Sequence, residues 1–137
     1  MWKFYALMSA LFAALTAILA KVGIKGINSN LATAIRTTVI LGITWGIVIA
    51  SGNCREIKTI TRNNLIFLIL SGIATGLSWL CYFKAISLGA VSKVAPIDKL
   101  SVAVVIILSV FLLKEPSDPK VLIGAGLIVA GSIVILL

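Results

Sequence analysis

Three charged side chains, Arg36, Asp98 and Lys99, lie within long apolar stretches of the sequence. A charged group surrounded by hydrocarbon is costly, so such groups commonly form ion pairs or bind ligands. At about 1.5 Å per residue, all three lie at a similar depth, about 8–10 Å from the nearer ends of their stretches. Asp98 can therefore pair with Arg36 or with a lysine. The surplus of cations around it favours a ligand that carries a carboxylate or another anionic group.

The surroundings of Asp98 also allow a purely structural interpretation. Neighbouring residues of a helix point about 100° apart, so we do not expect Asp98 and Lys99 to pair with each other. If the helix begins at Ala95, Pro96 occupies its first turn, Asp98 favours the positive end of the helix dipole, and Lys99 extends to the polar surface. If the helix begins near Ser92, Pro96 lies inside it, frees a backbone carbonyl and is a candidate hinge.

A stripe of polar side chains follows one face of the apolar run 64–83. Its members recur at intervals of three or four residues: Ser71, Thr75, Ser78 and Tyr82. Trp79 lies beside them. A polar stripe that ends in aromatic side chains is typical of a cavity wall that holds an organic molecule. It is also compatible with a helix-packing surface in which Trp79 and Tyr82 are anchors at the membrane interface.

The composition indicates that membrane-spanning helices position these residues. The chain of 137 residues is 61% hydrophobic and 12% charged, with a mean hydropathy of +1.19. A soluble domain of this length cannot bury so much apolar surface. Runs of about 17–20 residues with few charges match helices that cross about 30 Å of hydrocarbon, and none alternates as a spanning strand would. The runs cover residues 4–20, 31–50, 64–83, 94–113 and 120–137. The sequence therefore predicts an all-α membrane protein with one five-helix transmembrane domain over residues 1–137.

Capping residues separate the predicted helices. Residues 28–30 provide N-caps for the second helix, Thr61 or Asn63 for the third, and Ser117 or Asp118 for the fifth. The loops are short, so neighbouring helices run antiparallel. The first run is about 17 residues long, against 7–15 for the apolar core of a signal peptide, and we expect it to be retained.

The cations are divided almost evenly between the two predicted membrane surfaces. Lys3, Arg55, Lys58, Arg62, Lys114 and Lys120 lie on the side of the N-terminus. Lys21, Lys25, Lys84 and Lys93 lie on the opposite side, with Arg36 and Lys99 just inside the membrane. Such a weak bias permits one orientation with the N-terminus in the cytoplasm. It also permits insertion in both orientations, with the N-terminus on either side of the membrane. Because the number of helices is odd, two oppositely oriented copies would then form an inverted repeat.

Small residues mark two candidate packing surfaces. They are Gly72 and Gly76 in the third run and Gly124, Gly126 and Gly131 in the last. Glycines spaced in this way let another helix approach closely, and Gly72 and Gly76 would permit sliding. The partner helix can belong to the same chain or to a second copy.

The side chains that most enzymes need are scarce. The chain has no His and only four acidic residues, and it shows no nucleophile–base pair, metal-ligand cluster or phosphate loop. We therefore expect no enzyme activity, metal or cofactor. The cations behind the net charge of +8 are expected to set the orientation in the membrane and to contact lipid headgroups. Nucleic-acid binding is not expected, because no soluble basic face is predicted.

Three segments of the chain resemble the EamA-type module of the drug/metabolite transporter superfamily. They read "FAALTAILAKVGIKGINSNLATAIRT", "SGIATGLSWLCYFKAISLGAVSKVAPIDKLS" and "LLKEPSDPKVLIGAGLIVAGSIVILL". The resemblance covers nearly the whole chain, and its most specific parts are the segment through "PIDKLS" and the "KEP" turn, where the family commonly has Gly-Glu. Most members carry two such five-helix modules fused as an inverted repeat. This chain carries one, which implies half of an inverted-repeat fold that pairs with another copy.

The resemblance implies a secondary transporter in the inner membrane of a prokaryote that exports small metabolites such as amino acids. A homodimer, antiparallel in arrangement, would work by alternating access. The implied cavity is lined by the first, third and fourth helices, and its residues would include Thr16, Trp79, Tyr82, Asp98 and Ser101. The last helix, in "GLIVAG", also looks like the dimerising helix of small multidrug resistance proteins. The first helix lacks their membrane glutamate, which argues against proton-coupled export of cationic drugs.

Two other classes of function fit the same residues. One is a small dual-topology channel whose pore is lined by the Ser/Thr stripe. The other is a non-transporting subunit of a larger membrane protein. Saturable flux and counterflow separate a transporter from a channel, and a stable purified homodimer argues against a subunit.

Overall fold

The computed structural model describes residues 1–116 and 118–137, and the regular structure in these residues is helical. The helices are α1 (Trp2–Gly23), α2 (Ser29–Ala50), a 3₁₀ helix (Asn53–Thr59), α3 (Arg62–Leu88), α4 (Val91–Asp98), α5 (Ser101–Leu112) and α6 (Pro119–Leu136). Five stretches of the described residues are long and apolar enough to cross a membrane, with α4 and α5 together forming the fourth. The chain is thus an all-α, multi-pass membrane protein, as the composition predicts.

The helix ends and the fourth span differ from the sequence prediction. Most helices extend a few residues beyond their apolar runs, because lysines such as Lys21 and Lys84 at the run ends are good helix formers. The fourth predicted span, 94–113, corresponds to the apolar stretch Val91–Leu112, within which a turn at Lys99 and Leu100 interrupts the α-helix. The segment 51–63, between two of the predicted apolar runs, contains the 3₁₀ helix, which packs against α2.

The capping predictions are confirmed where the structure describes them. The side chain of Asn28 accepts the Asn30 N–H at 2.8 Å before α2, and the Asp118 carboxylate accepts the Lys120 N–H at 2.9 Å before α6. The Thr61 hydroxyl accepts a longer hydrogen bond of 3.3 Å at the start of α3. These oxygens satisfy N–H groups that have no partner inside their helices. The alternative cap Ser117 lies outside the described residues.

The Asp118 cap leads to a stability prediction. Asp118→Ala removes the oxygen that accepts the Lys120 N–H, so the free energy of unfolding should fall by about 1 kcal/mol. Asp118→Asn is the matched control, because its amide oxygen still caps the helix. Unfolding of the purified protein by titration with a denaturing detergent measures both variants. Equal destabilisation by the two substitutions would contradict the capping role.

The described chain divides into two compact units. The first unit comprises Met1–Ile18 and Leu88–Leu137, and the second comprises Leu19–Ser87. In the first unit, α6 packs against α4 and α5, and it buries the small side chains of Ala125 and Ser132. Short side chains at a helix contact allow two backbones to come close together.

The buried residues of the second unit lie around the end of α3 and the start of α2. Phe83 and Ile86 of α3 are 2% and 0% exposed, and Ser29 and Thr33 of α2 are also buried. The ammonium group of Lys21 donates a hydrogen bond to the backbone carbonyl of Ile86 and so joins the end of α1 to the last turn of α3. A cation is favourable there, because the C-terminal carbonyls of a helix carry partial negative charge.

The five glycines of the predicted packing surfaces face open space within their own units. A Cβ added at any of Gly72, Gly76, Gly124, Gly126 or Gly131 would meet no neighbouring atom within 4 Å. The contact of α6 with α4 includes a hydrogen bond from the Ser132 hydroxyl to the Pro96 carbonyl. The packing role of the glycines therefore stays a prediction, and it calls for a helix from outside the unit that carries them.

Candidate functional site

The fourth membrane span breaks where its charged residues lie. Helix α4 ends at Asp98, α5 begins at Ser101, and Lys99 and Leu100 form the turn between them. The backbone through this turn is held by short-range bonds: the Lys99 N–H donates to the Pro96 carbonyl at 3.1 Å, and the Leu100 N–H donates to the Ile97 carbonyl at 3.0 Å. Such tighter, 3₁₀-type bonding inside a membrane helix often marks a functional hinge. The turn is about 12 Å from the start of the span at Val91.

The break decides between the two interpretations of Pro96. Helix α4 begins at Val91, so Pro96 lies inside the helix and not in its first turn. The interpretation in which Asp98 favours the N-terminal end of a helix is wrong, because Asp98 is the last residue of α4. Pro96 has no N–H to donate to the preceding turn, and the helix ends two residues later. Pro96 thus stays a candidate hinge.

Asp98 and Lys99 form an ion pair across this turn. The Lys99 ammonium nitrogen is 3.7 Å from a carboxylate oxygen of Asp98, and the two side chains are 55% and 41% exposed, respectively. The expectation that these neighbours do not pair is wrong, because the long Lys99 side chain reaches round to the carboxylate although the backbone keeps right-handed helical angles at Lys99. A pair with such long spacing and high exposure is held weakly. It can therefore exchange for other charged partners.

The backbone groups of the broken span are bonded to one another. Lys99 and Leu100 keep right-handed helical angles, and the Val102 and Ala103 N–H groups donate to the Lys99 and Leu100 carbonyls at 3.0 and 3.1 Å. The groups that can bind an ion here are therefore the side chains of Asp98 and Lys99. Charged side chains inside a membrane usually face the protein interior or a water-filled cavity. The ion pair thus favours a polar cavity at this depth.

Arg36 of α2 lies against two aromatic rings of α3. Its guanidinium carbon is 4.5 Å from the centre of the Trp79 ring and 5.0 Å from that of Phe83. Phe83 is nearly fully buried, and its ring makes an edge contact with Tyr82, with ring centres 6.3 Å apart. The second unit, all of which is described, contains no ion-pair partner for Arg36. The rings hold the guanidinium by cation–π attraction, about 1 kcal/mol for each partly exposed contact.

This arrangement makes Arg36 suitable for binding a carboxylate. A guanidinium has a planar set of N–H donors that matches the two oxygens of a carboxylate. The aromatic rings fix its plane without using those donors. Arg36 belongs to the second unit and Asp98 to the first, and their predicted pairing stays a prediction.

The other predicted cavity residues lie in different elements. Tyr82 and Trp79 are half-buried on α3 in the second unit, whereas Thr16 is half-buried on α1 and Ser101 is exposed at the start of α5, both in the first unit. In the polar stripe of α3, the Thr75 hydroxyl donates to the Ser71 carbonyl at 2.9 Å. Thr75 therefore uses its hydrogen within its own helix. The cavity-lining role of these residues stays a prediction.

Two shallow apolar grooves run along α6 in the first unit. One, of about 430 Å³, lies between α4 and α6 and includes Pro96, Lys99 and Gly131. The other, of about 370 Å³, lies between α5 and α6 and includes Gly126. Gly126 and Gly131 thus line grooves that are open to the surroundings of the unit.

Two residues of these sites were missed from the sequence. The contact of Phe83 with Arg36 was not predicted, although Phe83 lies four residues after Trp79 and so shares its helix face. Ser132 was not predicted as a contact residue, and nothing in its surroundings in the sequence indicates a bond to Pro96. The described residues contain no group of three or more His, Cys, Asp and Glu side chains that could hold a metal ion.

Comparison with known proteins supports the resemblance noted from the sequence. The model of the EamA-like transporter family matches residues 1–137. An "uncharacterized transporter in cobO 3'region" from Sinorhizobium sp. is 48% identical over 134 residues, which cover 98% of this chain and 95% of that protein. No solved structure matches the chain.

Proposed function

Because the chain belongs to the EamA-like transporter family, we propose that it is a secondary transporter that exports small metabolites with an anionic group, such as amino acids. Two copies in opposite orientations form the working unit, each supplying half of an inverted repeat in a prokaryotic inner membrane. The cavity opens alternately to the two sides as one helix bundle moves against the other. The proposal assigns the chain no chemical reaction.

The interrupted fourth span is the observation that carries this proposal. The turn at Lys99 and Leu100 presents a weak ion pair at membrane depth, where a substrate can replace either partner. Pro96 supplies the hinge. Arg36, with its donors unused within its own unit, is a second group suited to an anion. A carboxylate-bearing metabolite is the kind of ligand that a lysine ammonium or an arginine guanidinium binds.

Uptake into proteoliposomes tests the proposed activity. Purified protein is reconstituted and assayed with a panel of radiolabelled amino acids, with empty liposomes as the control. A transporter shows saturable uptake and accelerated exchange when the same amino acid is loaded inside. A current that does not saturate would indicate a channel. If a stable homodimer shows neither saturable uptake nor a current, transport of this substrate class is contradicted.

The near balance of cations predicts that the protein inserts in both orientations. A small tag at the C-terminus should therefore react with an impermeant reagent in part in intact cells and fully after permeabilisation. A matched variant with additional lysines beside Lys3 should bias insertion and give reaction from one side only. If the tag on the protein without added lysines reacts either fully or not at all in intact cells, all molecules have one orientation, and the antiparallel homodimer is excluded.

A further inference from the structure

The hydroxyl group of Ser132 in α6 contacts two backbone carbonyls in different helices. It is 2.8 Å from the Pro96 carbonyl oxygen of α4 and 2.8 Å from the Ile128 carbonyl oxygen of its own helix. Ser132 is only 3% exposed. A hydroxyl has one hydrogen to donate, so it can bond fully to only one of these oxygens at a time.

The Pro96 carbonyl is the point at which the fourth span departs from regular α-helix. In a continuous helix it would accept the Leu100 N–H, but that group donates to Ile97. Instead, the Pro96 carbonyl accepts the Lys99 N–H at 3.1 Å and the Ser132 hydroxyl at 2.8 Å. The same oxygen thus receives a bond from the charged turn and a bond from α6.

Because the Ser132 hydroxyl has two possible acceptors, it can form a hydrogen bond in either of two arrangements. When the hydroxyl donates to Pro96, α4 is joined to α6. When it donates to Ile128, as buried serines in helices commonly do to the carbonyl four residues back, the Pro96 carbonyl keeps its bond from Lys99. Neither carbonyl is left without a donor, so the link between the helices can open at little cost.

We propose that Ser132 is a positioning residue: its bond to the Pro96 carbonyl holds the Asp98–Lys99 turn in the observed geometry and is released when the turn moves. This role deepens the proposed function, because the importance of the turn rests on that function. The bond itself is independent of transport. It assigns α6 a part in controlling the broken span in addition to packing.

Hydrogen–deuterium exchange of the turn amides tests this role without any substrate. The full-length protein in lipid nanodiscs is compared with Ser132→Ala, which removes the hydroxyl, and Ser132→Thr, which retains it. Ser109→Ala is the matched control, because the Ser109 hydroxyl bonds only within its own helix, to Ile106 at 3.0 Å. We expect exchange at residues 99–103 to become about three- to tenfold faster in Ser132→Ala, the effect of losing one hydrogen bond.

The pattern of exchange decides the proposal. Acceleration confined to the turn, absent in Ser109→Ala and reversed in Ser132→Thr, supports it. Unchanged exchange in Ser132→Ala would overturn it, as would equal acceleration throughout α4, α5 and α6, which indicates general loosening of the packing. Acceleration that threonine does not reverse also counts against a role of the hydroxyl. Since no flux is measured, a failed transport assay and a failed exchange experiment are distinguishable.

Discussion

Replacing Asp98 with asparagine is expected to lower the maximal rate of uptake into proteoliposomes by roughly thirtyfold, corresponding to about 2 kcal/mol for the charged hydrogen bond that we expect Asp98 to make with the substrate. Asparagine keeps the size of the side chain but loses the charge that holds Lys99. Lys99 then has no carboxylate partner within the turn, so it can no longer alternate between that partner and the substrate. Lys99→Gln removes the other half of the pair and should have an effect of similar size. The measurement uses the amino acid that the wild-type protein transports fastest.

Asp118→Asn is the matched control for this experiment. It makes the same chemical change at an aspartate outside the membrane spans and keeps the helix cap, so uptake should be unchanged. Expression and oligomeric state of each variant are compared before flux is measured. If Asp98→Asn and Lys99→Gln both transport at the wild-type rate, the ion pair is a structural feature of the turn and takes no part in the transport cycle.

Replacing Arg36 with glutamine should raise the KM for a carboxylate-bearing substrate by about ten- to hundredfold, the effect of losing a hydrogen bond to a charged group. The maximal rate should change less, because the broken fourth span is intact. Arg36→Lys retains the positive charge but lacks the planar fork of donors and stacks less well on Trp79 and Phe83. We therefore expect it to recover only part of the affinity.

Arg62→Gln is the control for Arg36→Gln. Arg62 is exposed at the first residue of α3, so removing its charge should leave the KM unchanged. A KM that is the same for wild type and Arg36→Gln would contradict substrate binding by this guanidinium. A KM restored fully by Arg36→Lys would indicate that charge alone matters and that the aromatic rings have no part in recognition.

Apolar length and capping chemistry made most of the fold predictable. The number of residues without charge determines whether a helix can cross the bilayer, and this count is local to each run. The caps at Asn28 and Asp118 are equally local, since each side chain bonds to an N–H two residues away. Helix ends were less predictable. The lysines that limit an apolar run are themselves compatible with helix, so α1 and α3 continue past it.

The break in the fourth span could be predicted only as a possibility. The effect of Pro96 depends on where its helix begins, and both Ser92 and Ala95 were reasonable starting points from the sequence. The bond from Ser132 to Pro96 joins residues 36 positions apart. Such a contact depends on how two helices pack, and no periodicity within either helix encodes it. The contact of Arg36 with Phe83 is hidden for the same reason.

The 3₁₀ helix has a practical consequence for biochemistry. It carries Cys54, an exposed thiol in the polar connection after α2, whereas Cys81 lies within the span formed by α3. Both thiols are exposed in the single chain, so Cys81→Ser leaves Cys54 as the one thiol that a maleimide can modify. A charged maleimide does not cross the bilayer, so in intact cells it reaches Cys54 only in molecules whose polar connection faces outward. Molecules that face opposite ways can then be counted through Cys54, without any added tag.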